Sequence, residues 1–190
     1  CGTKPFNYQR QKVVPMAKGL VLEVGIGSGL NIPYYDSAKV EKVLGLDPSS
    51  ELNQLAAKVA AKHEVSVEFI LSGAEDIPLP DNHADTVLIT YTLCTIPDVA
   101  AANKEILRVL KPGGVMIFCE HGVAPDGNVS KWQGRINPLW GKLAGGCNLN
   151  RDIPALIKDA GFSIESMEEM YLPSTPKIAG YNYWGTAVHP

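Results

Sequence analysis

Three glycines at alternate positions follow an apolar segment near the beginning of the chain. They are Gly25, Gly27 and Gly29 in the segment VLEVGIGSGLN, and Glu23 precedes the first of them by two residues. Glycine lets a backbone approach a ligand closely because it has no Cβ atom. The third glycine comes one residue too early for a dinucleotide GxGxxG fingerprint, and no Lys-Ser/Thr pair follows as in a Walker loop. The spacing therefore predicts close contact with a ligand of another class.

Two later segments could contact the same ligand. Asp47 ends the second apolar segment, and a carboxylate there could accept hydrogen bonds from both hydroxyls of a ribose. The segment SGAEDIPLPD (72–81) follows the third apolar segment, and backbone near Ala74 together with Glu75 could contact the edge of an adenine. Each signal is weak alone. Their occurrence in order after three successive predicted strands favours a nucleoside-containing ligand over three unrelated turns.

His121 is the candidate catalytic residue. It ends the apolar segment GVMIFCEH, and an imidazole with an ordinary pKa of about 6.5 is suited to remove a proton near neutral pH. A structural histidine bonded to a backbone carbonyl is an equally good interpretation. Cys94 and Cys147 are better explained as packing or pocket-lining residues than as nucleophiles. The spacing of the cysteines forms no CxxC pair and no zinc pattern, so no metal site is predicted.

The segment 122–150 is the candidate substrate-side insertion, because it contains two tryptophans, several glycines and little periodicity. It would follow the fifth strand, at the edge where open α/β sheets bind ligands. The alternative is that its tryptophans anchor a long loop on the core. The candidate substrate-binding residues are Trp132, Asn137, Trp140, Cys147 and Asn148.

Composition limits the class of protein to which these residues belong. The chain has 190 residues, of which 45% are hydrophobic and 19% charged, with a formal net charge of −3. This predicts one globular domain over residues 1–190, with residues 1–19 as an N-terminal cap segment. There is no Lys/Arg block, so no nucleic-acid partner is predicted, and no apolar run approaches the roughly 18 residues of a membrane span. Cysteines in apolar strand-like segments suit a cytoplasmic location.

Alternating strand and helix patterns predict the fold that positions these residues. Helical patterns begin near Ser49, Asp98 and Asn150, between short β-branched or apolar runs. The last two predicted strands are joined by a Pro-rich spacer without a helical pattern, so they should be antiparallel neighbours. The predicted strands are residues 20–25, 42–47, 67–72, 85–92, 114–121, 162–172 and 181–189. The fold class is therefore α/β, a Rossmann-like, seven-stranded, mostly parallel sheet with helices on both faces and an antiparallel last strand.

The first part of the chain resembles the class I S-adenosylmethionine-dependent methyltransferases. The matching segments are LEVGIGSG, GLDPS, GAEDIPLPD, DTVLITYTL and EILRVLKPGGVMIF. The resemblance implies S-adenosyl-L-methionine as cofactor and S-adenosyl-L-homocysteine as product. It also implies that the glycines lie beside the methionine portion. Gly73 departs from the pattern, since many relatives carry an aspartate there. The implied cofactor contacts are Glu23, Gly25, Gly27, Gly29, Asn31, Asp47, Ser49, Ala74, Glu75, Thr90 and Thr92.

The second half resembles the methyltransferase-like 7 family, which includes alkyl-thiol methyltransferases. The matching segments are LCTIPD, CEHG, INPLWGKLAGGCNLNRDI and YWG. The resemblance implies methyl transfer to a small, fairly apolar acceptor, with a thiol or sulfide favoured. One alternative is a carbon or oxygen methyltransferase of a quinone-like or phenolic small molecule. Another is an adenosylmethionine-binding module without catalysis. The sequence does not indicate an oligomeric state.

Overall fold

The computed structural model describes residues 2–190, and Cys1 lies outside the described residues. The chain forms a seven-stranded sheet composed of β1 (Gly19–Val24), β2 (Val40–Leu46), β3 (Val67–Ile70), β4 (Ala84–Thr90), β5 (Leu110–His121), β6 (Ser163–Tyr171) and β7 (Tyr181–Val188). The spatial order is β3-β2-β1-β4-β5-β7-β6. β7 runs antiparallel to both β5 and β6, and the other neighbouring pairs are parallel. The predicted fold class is confirmed.

Helices cover both faces of this sheet. They are α1 (Lys4–Val13), α2 (Ser50–Ala60), α3 (Val99–Val109), α4 (Gly127–Leu143), α5 (Ile153–Asp159) and α6 (Lys177–Gly180). Successive residues of a strand point to opposite faces, so β1 places Val21 in one core and Leu22 in the other. The core that contains Val21 is completed by residues of α1 and α2, and the other core by residues of α3 and α5. This two-sided burial explains why the central strands are mainly apolar rather than alternating.

Hydrogen-bonding side chains fix the beginnings of two predicted helices. The Ser49 hydroxyl accepts a hydrogen bond from the Leu52 amide at the start of α2, and Asp98 accepts one from the Ala101 amide at the start of α3. α3 ends at Val109, and β5 begins at the next residue. The parallel strands β1 to β5 all run in the same direction, so their carboxyl ends lie at one edge of the sheet.

The segment 122–150 contains a structure that its sequence did not indicate. Much of it is α4, a helix of 17 residues with Pro138 inside it. Its residues are mostly exposed, so the sequence has no continuous apolar stripe that would predict a helix. The helix is docked instead by the buried amide of Gln133, which accepts a hydrogen bond from the Ala124 amide and donates to the carbonyls of Gly122 and Ile178. A polar anchor of this kind leaves no periodic hydrophobic signal.

Candidate functional site

The glycine loop begins where β1 ends, and its first glycine allows a contact that no other residue would permit. Gly25 has a φ of +75°, and its amide donates to the Leu46 carbonyl at 2.8 Å. A Cβ atom at this position would lie 2.4 Å from the Thr92 side chain. Gly27 also has positive φ, but a Cβ there would meet nothing closer than the Gly25 carbonyl at 3.9 Å. The loop is therefore packed at Gly25 against Thr92, which follows β4, and is open at Gly27.

Two adjoining cavities lie over this loop, at the carboxyl ends of β1, β2, β3 and β4. The larger has a volume of about 360 Å³ and includes Asp47, Ala74 and Glu75 in its lining. The second, of about 210 Å³, is lined by Gly27 and its neighbours. Gly25 and Thr92 line both. Ligands of open α/β sheets bind at this edge, and the paired cavities suit a ligand with two parts.

Asp47 presents an oriented carboxylate to the larger cavity. One of its oxygens accepts a hydrogen bond from the Gly27 amide at 3.0 Å, and the other accepts from the Ser49 amide at 2.9 Å. Only 7% of the residue is exposed. Because each carboxylate oxygen has two acceptor positions, one position on each remains for a ligand such as a diol. Ser49, a predicted cofactor contact, lines the larger cavity; its amide orients Asp47 and its hydroxyl caps α2.

The loop is supported from below by a buried polar network. The Asn31 amide donates to Glu23 at 2.8 Å and to Thr90 at 2.9 Å, and the Tyr35 hydroxyl donates to Glu23 at 2.6 Å. The Arg10 guanidinium donates to the Asn31 carbonyl oxygen at 3.0 Å. Glu23 lines neither cavity, whereas Asn31 and Thr90 line the smaller one. Of the predicted cofactor contacts, Glu23 is thus placed as a support for the loop.

Burial of Glu23 makes the stability of the protein depend on pH. Desolvation raises the pKa of Glu23 from 4.5 to about 7, against the hydrogen bonds that lower it. A raised carboxyl pKa means that the folded state holds a proton that the unfolded state releases, so the free energy of unfolding falls as the pH rises between these values. The expected loss is roughly 3 kcal/mol.

Urea unfolding at a series of pH values checks this expectation. The Glu23→Gln variant should show a flatter dependence on pH than the wild type. Some slope should remain, because burial also raises the pKa of Glu120 to about 7. Equal slopes for variant and wild type would mean that Glu23 does not titrate in this range.

The remaining predicted cofactor residues divide between the cavity lining and the core. Gly29 lines neither cavity, and a Cβ on it would lie 2.8 Å from the Ile32 side chain and 3.1 Å from the Ala56 backbone. Its role is close packing of the loop against α2. Gly73, at the position of the missing aspartate, lies beside Glu75 in the lining of the larger cavity. A Cβ on Gly73 would lie 2.9 Å from the Glu75 carboxylate.

A third cavity, which we call the acceptor cavity, adjoins the other two. It has a volume of about 240 Å³, and Thr95 lines both it and the larger cavity. Tyr91 connects it in the same way to the smaller cavity. Its lining is mostly apolar and comprises Phe6, Tyr91, Cys94, Thr95, His121, Trp140, Ala144, Cys147, Leu149 and Ala179. The structure therefore places the predicted catalytic histidine and two predicted substrate residues in one cavity.

His121 and two cysteines form a compact cluster in the acceptor cavity. The His121 Nε2 atom lies 3.2 Å from the Cys147 sulfur. A ring nitrogen of His121 and the sulfur atoms of Cys94 and Cys147 all lie within 4.8 Å of one another. The neighbouring Cys94 thiol and the His121 imidazole lower the pKa of Cys147, whereas the neighbouring Cys147 and burial raise the pKa of Cys94, whose thiol donates to the Tyr91 carbonyl at 3.8 Å. Cys147 is therefore the more acidic of the two thiols.

The loop that carries Cys147 is fixed to the loop that carries Cys94. Asn148 donates from its backbone and side-chain nitrogens to the Cys94 carbonyl, at 2.8 and 3.0 Å. Asn137 donates to the Asn148 side chain at 3.0 Å, and Arg151 donates to the carbonyls of Leu93 and Ile96. Asn137 and Asn148 do not line the acceptor cavity; they hold its wall in place.

Trp132 and Trp140 lie in different environments although both belong to α4. Trp140 lines the acceptor cavity, whereas Trp132 is 56% exposed and packs under the Arg135 guanidinium. Of the two tryptophans predicted to line a substrate pocket, Trp140 therefore does so and Trp132 does not. The exposed face of α4 carries Trp132 away from the cavity.

Two residues of the site carried no signal in the sequence. Tyr91 lies directly after β4 with a φ of +55°, which is rare for a residue with a side chain, and strain of this kind is concentrated at functional sites. Phe6 of α1 packs edge-on against the Tyr91 ring, with centroids 4.9 Å apart, and the Arg10 guanidinium lies 5.2 Å from the same centroid. Positive φ at a tyrosine and the docking of α1 can be found only from three-dimensional structure.

Known proteins resemble this chain in sequence and in fold. The methyltransferase domain family matches residues 22–118. The human thiol S-methyltransferase TMT1B is 33% identical over 172 residues, covering 86% of this chain and 70% of the relative. Human thiol S-methyltransferase TMT1A is 29% identical over 187 residues, covering 96% and 76%. A solved S-adenosylmethionine-dependent methyltransferase from Mesorhizobium loti superposes with a TM-score of 0.71 at 18% identity, covering 97% of this chain and 98% of that one.

Within residues 2–190, no helix combines the length and apolar character needed to cross a membrane.

Proposed function

We propose that this chain, which belongs to the methyltransferase domain family, transfers the methyl group of S-adenosylmethionine to a small alkyl thiol. Family and relatives make it an S-adenosylmethionine-dependent methyltransferase, and the acceptor is the part that we propose. The observation that carries the proposal is the acceptor cavity, whose walls are mostly apolar and whose polar groups include one imidazole and two thiols within 4.8 Å of one another. Such a lining suits an acceptor with an apolar body and one ionisable sulfur.

The residues at the carboxyl edge of the sheet fit the cofactor. A Cβ on Gly25 would press against Thr92 at the junction of the two cavities, so glycine keeps that junction passable. Asp47 would hold the ribose, because its carboxylate is already oriented by two backbone amides. The loop at Ala74 and Glu75 would receive the adenine, and Gly27 with Asn31 would receive the methionine portion. When bound, S-adenosylmethionine supplies an activated methyl group on a sulfonium sulfur.

The chain has three tasks in this reaction, and different residues perform them. Phe6, Trp140 and Leu149 would exclude water and orient the acceptor toward the two cavities over the glycine loop, which we call the cofactor cavities. Orientation of this kind contributes roughly 7–11 kcal/mol to lowering the barrier. We propose that His121 promotes loss of the acceptor proton, because a thiolate is the nucleophilic form of sulfur. In this proposal residues 1–190 act as one domain. The N-terminal segment contributes Phe6 and the insertion contributes Trp140 to the same cavity.

Methyl transfer to competing acceptors tests the proposed substrate class. The purified protein is incubated with S-adenosylmethionine carrying a labelled methyl group and with either a small alkyl thiol or a phenol of similar size. We expect label on the thiol and little on the phenol. Label on the phenol alone would instead support an oxygen or carbon methyltransferase. Cofactor binding without transfer to any acceptor would support a binding module without catalysis.

Substitution of Asp47 tests the placement of the cofactor. In Asp47→Asn the side chain keeps its size but loses its charge and one acceptor oxygen. We expect the Kd for S-adenosylmethionine to rise roughly 10–100-fold, since hydrogen bonds to a charged group contribute about 1.5–3 kcal/mol. Isothermal titration calorimetry measures this. Asp36→Asn, which changes a surface carboxylate paired with Lys39, is the matched control and should bind normally. Unchanged affinity in the Asp47 variant would place the ribose elsewhere.

A further inference from the structure

The cluster of Cys94, His121 and Cys147 has the composition of a catalytic metal site. Thiolate and imidazole ligands favour zinc, and catalytic zinc sites hold the metal with three protein ligands and leave a fourth position open. Two cysteines and one histidine are one of the known three-ligand sets. All three side chains line the acceptor cavity, so a molecule in that cavity could take the fourth position. We propose that Cys94, His121 and Cys147 bind one Zn²⁺ ion whose open position takes the sulfur of the acceptor.

The geometry of the cluster is close to that of a tetrahedral zinc site. With zinc bonds of about 2.3 Å to sulfur and about 2.0–2.1 Å to nitrogen, the ligand atoms lie roughly 3.5–3.8 Å apart. The His121 Nε2 and Cys147 Sγ atoms are 3.2 Å apart, and no pair in the cluster exceeds 4.8 Å. Movements of about 1 Å at the side-chain ends would therefore complete the site. The paired loops already bring the two cysteines together, because Asn148 binds the backbone of Cys94 twice.

The neighbouring acidic side chain, Glu120, does not belong to the cluster. The Glu120 carboxylate accepts hydrogen bonds from the backbone amides of Thr92 and Leu93, at 2.7 and 3.1 Å. It is absent from the ligand cluster and from the lining of the acceptor cavity. Among residues 2–190 the site thus offers nitrogen and sulfur ligands without a carboxylate. This composition selects zinc over magnesium or calcium, which require oxygen ligands.

The metal would give the acceptor sulfur its reactive form. Binding of Zn²⁺ displaces the protons of the two cysteine thiols, and coordination of the acceptor displaces its thiol proton to solvent. The bound sulfur keeps a lone pair. It would form the new bond to the methyl carbon while the bond from that carbon to the sulfonium sulfur breaks and its electron pair stays on the departing thioether. His121 would then promote proton loss as a metal ligand rather than by taking the proton itself.

The inference rests on the proposed function for its acceptor, but its test measures metal binding directly. The full chain, kept reduced with a phosphine, is stripped with a chelator and titrated with Co²⁺ and then with Zn²⁺. We expect one metal ion per chain, with the sulfur-to-cobalt charge-transfer band and the visible bands of a tetrahedral site. Adding a small alkyl thiol should change the cobalt spectrum. A phenol or a thioether should change it less.

Two cysteine variants and one control variant show whether the cysteines hold the ion. In Cys94→Ser and Cys147→Ser we expect zinc affinity to fall by more than the roughly 10–100-fold that loss of a supporting hydrogen bond costs. Cys119→Ser is the matched control, because this buried thiol bonds the Tyr91 hydroxyl outside the cluster. Retained S-adenosylmethionine binding shows that each variant is folded. Equal metal binding by wild type and Cys147→Ser, or no binding by either, overturns the proposal.

The two proposals fail separately. If the stripped protein methylates the thiol at the full rate and binds no metal, the zinc site is wrong and the thiol acceptor stands. If the protein binds zinc through the cluster but transfers label only to a phenol, the acceptor is wrong and the metal site stands.

Discussion

Replacing Gly25 with alanine is expected to abolish detectable binding of S-adenosylmethionine. The added Cβ would lie 2.4 Å from two atoms of the Thr92 side chain, and the backbone at this position has a φ of +75°. Thr92 lies at the junction of the two cofactor cavities, so any shift that relieves the clash closes or distorts that junction. Backbone strain and overpacking together should also lower the free energy of unfolding by roughly 2–4 kcal/mol.

Gly113→Ala separates backbone strain from the clash. Gly113 has a φ of +72°, close to that of Gly25, but an added Cβ there meets nothing within 4 Å. This control should lose only about 1 kcal/mol of stability and should bind the cofactor normally. Calorimetric titration measures affinity, and thermal unfolding measures stability. Normal cofactor affinity in the Gly25 variant would show that the junction does not lie on the binding path.

His121→Ala is expected to lower kcat for thiol methylation by roughly 10²–10⁴-fold while leaving the Kd for S-adenosylmethionine unchanged. The separation is expected because His121 lines the acceptor cavity and neither cofactor cavity. The loss should occur whether the imidazole removes the acceptor proton directly or holds a metal ion that does so. Single-turnover kinetics with saturating cofactor measure the chemical step apart from product release.

A surface histidine provides the control for this variant. His63 bonds the Val59 carbonyl at the end of α2 and lies far from the acceptor cavity in the lining of a surface pocket. His63→Ala should therefore keep full activity. Full turnover by His121→Ala with intact cofactor binding would assign His121 a structural role and would contradict the proposed mechanism.

The proposed cofactor contacts can be predicted from sequence because their signals are local. Gly25 and Asp47 follow directly after β1 and β2, and each of these strands is a short, mainly apolar run bounded by turn residues. The loop at Gly25 and Gly27 and the carboxylate of Asp47 are therefore placed by their positions in the chain alone. Connections that return every parallel strand in the same direction then bring these positions to one edge of the sheet. Gly29 shows the limit of prediction from sequence. Only the packing in the folded chain shows that this glycine allows a close approach to α2 rather than a contact with the ligand.

The acceptor side was decided by the tertiary structure. Cys94 follows β4, His121 ends β5 and Cys147 follows α4, and the three match no spacing pattern, yet their side-chain nitrogen and sulfur atoms lie within 4.8 Å of one another. Their proximity depends on α4, which is docked by Gln133, and on Asn148, which ties one loop to the other. Buried amides make these connections between distant segments, and such contacts leave no hydrophobic period in the sequence. The sequence by itself determined the sheet and its cofactor edge; only the folded chain brought the two thiols and the imidazole together.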